Sequence, residues 1–210
     1  ALLLVFGGYV FLSMMGYSFG FWAPALMVRT FDLTLAEVGV VLGTITVVCS
    51  TIGAVAAGTV ADFVRRRGYV DAPARTAFFV ALLMTPFAVL FPLVPEAWMS
   101  WVLIALYSLI GASLTPLALL SVSGLSGGRI KGRMTALYTL VIMIFGMSIG
   151  PQLTAFFTDF VFADPDDLSY AMSITAAIVL PISALLLGLS MSRYRDSVRR
   201  LAETDNLEQE

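Results

Sequence analysis

The chain has 210 residues, 59% hydrophobic and 12% charged, with a mean hydropathy of +0.93, where a soluble domain carries roughly 25% charged residues. This much apolar surface excludes a water-soluble fold and fits the bilayer as solvent. The net charge of -2 averages two sides of a membrane and decides little, but the absence of histidine excludes histidine metal sites, histidine proton switches and Ser-His or Cys-His catalysis.

Six windows supply the about 20 apolar residues that a span requires: 2–27, 38–61, 76–94, 98–123, 134–158 and 168–191. Residues 1–191 therefore read as a six-span all-α integral membrane bundle, and 192–210 as a charged cytoplasmic tail, amphipathic or frayed. Ala1 already lies in an apolar run, with no charged region or cleavage site before it, so further chain is expected upstream.

In the first span Tyr9, Ser13, Tyr17 and Gly20 follow one another at helical steps. A polar connector from 29 to 37 carries Arg29 and leads to a second span with Gly39, Gly43, Thr46, Ser50, Gly53 and Ala57 on one stripe. That span also holds the lone Cys49, which has no disulfide or zinc partner in the chain and reads as a small packing residue. The next connector holds Arg65, Arg66, Arg67 and Arg75. The third span is rich in Phe and Leu and apolar almost all round, which suits lipid contact. After a tight turn at Pro95-Glu96-Ala97, the fourth span carries Tyr107, Ser108, Gly111 and Thr115. A glycine-rich loop with Arg129, Lys131 and Arg133 precedes the fifth, which has Tyr138, Gly146, Gly150 and Gln152. An acidic connector from 159 to 167 leads to the sixth span, again mostly apolar apart from Ser173 and Pro181. The tail carries Arg193, Arg195, Arg199 and Arg200.

Every lysine and arginine except Arg29 thus falls on alternate connectors and the tail, which face one side. The positive-inside rule makes that side cytoplasmic, with both termini in the cytosol. The bacterial inner (plasma) membrane is the expected setting. The glycine stripes read as helix packing, because small residues let backbones approach. The tyrosines and Gln152 face either a cavity or another helix, since lipid will not hydrogen-bond them. Pro24, Pro86, Pro116, Pro151 and Pro181 lie in or near spans and can kink them.

The second span ends Gly58-Thr59-Val60-Ala61-Asp62-Phe63-Val64-Arg65-Arg66-Arg67. This resembles the cytoplasmic-loop signature of the major facilitator superfamily, departing from it at Phe63, usually basic, and Arg65, usually glycine. Gly58 is read as permitting close packing. Asp62 would accept hydrogen bonds from a helix N-terminus or an arginine, and Arg66 and Arg67 would pin the loop inside. Phe21-Trp22-Ala23-Pro24 with Arg29 and Ala36-Glu37-Val38-Gly39 is similar to spinster-like members. So is Gly146-Met147-Ser148-Ile149-Gly150-Pro151 with Thr158-Asp159 and Leu168-Ser169-Tyr170-Ala171, where Gly146, Gly150 and Pro151 serve kinking and packing.

The resemblance implies helices seven to twelve of a twelve-helix transporter, the C-terminal six-helix half. Its partners would be a missing N-terminal six-helix half, the lipid bilayer and a small-molecule substrate, exchanged by alternating access. The first, second, fourth and fifth spans would line the cavity, with the third and sixth outside. No acid or base lies deep in a span, so this half would supply a neutral aromatic and hydroxyl wall for an amphipathic or lipid-like solute, and coupling would belong to the other half. Tyr9, Tyr17, Phe21, Tyr107, Tyr138 and Gln152 are the wall candidates. Neither a cofactor, a metal nor a nucleic-acid partner is expected. The alternative is a complete six-span protein that dimerises as a carrier or channel. An intramembrane enzyme lacks a catalytic pair, and the paired Asn-Pro-Ala motifs of water channels are absent.

Overall fold

The computed structural model describes residues 2–67, 71–125 and 131–207, and the side chains of 61, 62, 64, 65, 165 and 199–207 fall outside the described set. Among the described residues there is no strand. The helices are α1 (Leu2–Phe31), α2 (Leu35–Arg66), α3 (Ala72–Leu90), α4 (Ala97–Gly111), α5 (Leu114–Gly124), α6 (Lys131–Ile142), α7 (Ser148–Phe156) and α8 (Leu168–Leu207). α4 and α5 together form the fourth span. α6 and α7 form the fifth, joined by a π-helical turn at Met143–Met147 and followed by another at Phe157–Phe162. Six helical stretches are long and apolar enough to cross a membrane, so the expected six-helix all-α bundle is what the chain forms.

Local chemistry sets the ends. Thr34 and Glu37 make a capping box at the start of α2: the Glu37 carboxylate accepts from the Thr34 N–H at 2.9 Å and its hydroxyl at 2.7 Å. α3 stops at Leu90, short of the expected 94, because Pro92 has no N–H to extend the ladder. The fourth span breaks at Ala112 and Ser113 for the same reason: Pro116 cannot donate to the carbonyl four residues back. The Ser113 hydroxyl donates instead to the Ile110 carbonyl at 2.6 Å. α8 continues well beyond the expected end at 191, to Leu207.

Burial does not follow the expected partition. The most apolar stretch of α8 is 50% buried, against 11% in α2 and 17% in the fifth span. α3 and α8 pack on each other, and α8 packs on α1, as a spine. Ala74, Ala77, Ala81 and Ala88 of α3 and Ala176 and Ala184 of α8 are buried in one cluster, small enough for close backbone approach. Ser173 donates to the Val89 carbonyl at 2.9 Å and Ser183 to the Gly8 carbonyl at 2.7 Å, tying α8 to α3 and α1. The third and sixth spans therefore keep only one face each for their surroundings.

The glycine stripe of α2 is also mostly not packing. Only Gly53 sits against another helix, where an added Cβ would strike the Leu109 carbonyl of α4. Gly39, Gly43 and Gly58 have nothing within 4 Å of that position. Gly58 thus packs against none of the described residues.

Candidate functional site

α1 positions most of the site. Its residues 12 to 22 run past α5 on one side and the fifth span on the other, and two clefts open along it. The first, about 480 Å³, is lined among others by Tyr9, Ser13, Gly16, Tyr17, Thr115, Tyr138 and Thr139. The second, about 630 Å³, is lined by Gly16, Tyr17, Gly20, Phe21, Trp22, Met147, Ser148, Pro151, Gln152 and Ala155. Each lies in the range of small-molecule pockets, roughly 300–1,000 Å³. They meet at Gly16 and Tyr17. Among the described residues no acidic or basic side chain lines either one.

Five of the six wall candidates are brought together here. Tyr9, Tyr17 and Tyr138 face the first cleft; Tyr17, Phe21 and Gln152 face the second. Tyr107 lines neither. It is 4% exposed in the core, its ring 4.7 Å from that of Phe19, and its hydroxyl has no hydrogen-bond partner among the described residues. α2, expected on the wall, contributes to neither cleft. Ser13, Gly16, Trp22, Thr115 and Thr139 were not singled out as wall residues, although Ser13 and Thr115 lay on the polar stripes that held the tyrosines.

The polar atoms around the clefts are ordered by bonds inside the bundle. The Ser121 hydroxyl donates to the Leu117 carbonyl at 2.8 Å, so the Tyr9 hydroxyl, 3.0 Å from the Ser121 oxygen, is the donor between them. Tyr138 stacks edge-on against Phe6 and Tyr9, with ring centroids at 5.5 and 6.1 Å. Ser13 donates to the Val10 carbonyl at 2.7 Å and Thr139 to the Thr135 carbonyl at 3.0 Å. At the second cleft the Trp22 indole N–H donates to the Pro151 carbonyl at 2.9 Å.

Behind it runs a buried hydroxyl relay. Thr175 donates to the Ala171 carbonyl at 2.8 Å, Thr154 donates to Thr175 at 3.2 Å, and Ser18 lies 2.7 Å from Thr154. With the Thr154 proton committed, Ser18 is the donor of that last bond. The relay joins α1, α7 and α8. Gly150 allows it, since a Cβ there would meet the Met14 backbone, and one at Gly146 would meet Ser13 and Tyr17. Gly146 and Gly150 thus do the packing work expected of them. Pro151 interrupts the α7 ladder just after the π turn.

The loop signature is only partly described. The Asp62 side chain lies outside the described residues. Arg66 and Arg67 are exposed, and the Arg67 guanidinium stacks over the Phe63 ring at 4.4 Å, a cation–π contact made by one of the two departures from the motif.

No family model matches the chain. It is 26% identical over 201 residues to an MFS-type efflux pump of Mycolicibacterium smegmatis, covering 93% of the chain and 46% of that protein. Its fold matches crystal structures of a bacterial homolog of the human lysosomal transporter Spinster. The inward-facing, occupied form gives a TM-score of 0.66 at 13% identity, covering 94% of this chain and 49% of that one. The unoccupied form gives 0.65 at 13% identity, covering 96% and 48%. The chain spans about half the length of the proteins it matches.

Proposed function

We propose that this chain, which has the six-helix fold of a major facilitator superfamily half, works as the C-terminal bundle of a secondary transporter. The solute is a small amphipathic or lipid-like organic molecule, moved across a bacterial inner membrane by alternating access, with both ends of the chain in the cytosol. The observation that carries the reading is the polarity of the clefts. Tyrosines, hydroxyls and one amide collect on α1, α5 and the fifth span, in front of an alanine-seamed spine that contributes to neither cleft. Half-length similarity to an efflux pump and to a Spinster homolog supports transport as the activity.

A wall without acids or bases cannot itself carry a proton or bind an inorganic ion strongly. It can hold a neutral or weakly polar solute by aromatic contact and single hydrogen bonds. Coupling then falls to the opposite bundle. The test is solute flux by the full-length protein in proteoliposomes with Tyr17→Ala, Tyr138→Phe and Gln152→Ala. Each is expected to lower flux severalfold at unchanged thermal stability. Full activity in all three would refute the assignment of the wall.

A further inference from the structure

The two clefts share one stretch of wall, and that stretch has no side chain at Gly16. A Cβ built at Gly16 or Gly20 meets nothing within 4 Å, whereas one at Gly146 or Gly150 runs into α1. Gly39, Gly43 and Gly58 of α2 are as open, but among the open glycines it is Gly16 and Gly20 that line the clefts. Glycine in a helix interior is less favourable than alanine. At Gly16 no packing contact among the described residues offsets that, and the position lies where a cleft of about 480 Å³ and one of about 630 Å³ share their wall.

The two clefts are lined by different groups. In the first cleft the hydroxyl protons of Tyr9, Ser13 and Thr139 are all committed to other protein atoms. Those oxygens present lone pairs, while Tyr17, Thr115 and Tyr138 line the same cleft with hydroxyl protons to give, so the cleft both accepts and donates hydrogen bonds. The second cleft is walled by Phe21, Trp22 and Met147, and the one indole N–H is committed to Pro151. The part between these large side chains suits an apolar group, with Ser148 and Gln152 as the polar groups beside it.

On the reading of these clefts as a transport cavity, we propose that Gly16 is the specificity-determining position of the site. Its missing side chain lets one elongated amphiphile lie across both clefts, with a hydroxyl- or amide-bearing end among Tyr9, Ser13 and Thr139 and an apolar end against Phe21, Trp22 and Met147. A valine at 16 divides the space. Molecules short enough for a single cleft still bind, and longer ones do not.

The experiment uses the purified full-length protein in nanodiscs and a series of neutral dansyl amides of amino alcohols, short-chain to long-chain. Binding is read as energy transfer from tryptophan to dansyl, with Trp22→Phe identifying the signal that comes from the cleft. Gly16→Val is expected to weaken the long-chain members about tenfold or more and to leave the short-chain members unchanged, with Gly16→Ala between. Thermal unfolding checks that each variant is folded. Equal loss of short and long members in folded Gly16→Val and Gly16→Ala overturns the proposal, because position 16 then packs against another part of the protein. No change in either overturns it too. If the wild type binds no member at all, the transport-cavity reading fails, and this inference with it.

Discussion

Replacing Thr154 with valine removes the centre of the hydroxyl relay and keeps the β-branched shape. Ser18 loses its acceptor at 2.7 Å and Thr175 loses the donor at 3.2 Å. Hydrogen bonds between helices in a membrane bundle average about 0.6 kcal/mol and reach about 1.7. The short Ser18 bond belongs near the upper figure and the long Thr175 bond near the mean, so T154V is expected to destabilise the bundle by about 2 kcal/mol. Thr175 already donates to Ala171 and keeps that bond. Ser18 can turn its proton to a carbonyl of its own helix, which reduces the loss to no less than about 1 kcal/mol. The assay is reversible denaturant unfolding of the full-length protein for S18A, T154V and the double variant. The two changes should couple by about 1 kcal/mol, because each removes the same bond, and T154S should restore most of the stability. Additivity within about 0.3 kcal/mol would show that the relay contributes nothing to holding α1 on α7, and would refute the reasoning.

Tyr107→Phe should stabilise the bundle by about 1 kcal/mol, since it removes a buried hydroxyl that has no partner among the described residues; flux should not change, and a large fall in flux would return Tyr107 to the substrate wall. Gly58→Ala should raise stability by about 0.5–1 kcal/mol through helix propensity, because nothing lies within 4 Å of the added methyl. Destabilisation in the same unfolding assay would place a packing neighbour at Gly58 and contradict its open surroundings.

Much of the fold was legible because the bilayer imposes length and composition on every span. Packing was less so, for two physical reasons. Lipid and protein interior are about equally apolar, so the Phe and Leu of the third span could not say which of the two they face. The informative signal there was Ala74, Ala77, Ala81 and Ala88, small residues at helical spacing among the larger ones, which mark the seam with α8. The second reason is the π turn at Met143–Met147. A helical wheel advances about 100° per residue, and a wide turn holds roughly one residue more than that count allows. The turn therefore takes Tyr138 out of register with Gly146 and Gly150, while Gln152, two residues past Gly150, points about 200° from it on any α-helix. Tyr138 faces the first cleft, Gln152 the second, and the two glycines face α1. Tyr9, Tyr17, Tyr138 and Gln152 could be placed at clefts from polarity, because a tyrosine or glutamine in a span has few places to go. Tyr107 shows the limit of that argument: its ring is large enough to be held in the core with the hydroxyl unpaired. Gly16 was missed because a wheel that looks for side chains has no symbol for a space.

The alanine seam between α3 and α8 bears on how the bundle comes together. Helices that insert separately must each give up side-chain freedom when they dock, and long side chains give up the most. Alanine has no rotamers to lose. The alanines of the α3–α8 contact therefore add no side-chain entropy cost, whereas Phe78, Met84, Leu180 and Leu187 beside them, and the tyrosines and methionines around α1, must freeze their torsions. The fold places these undemanding residues behind the clefts, and orders Tyr9, Tyr17 and Tyr138 on the walls where a solute would meet them.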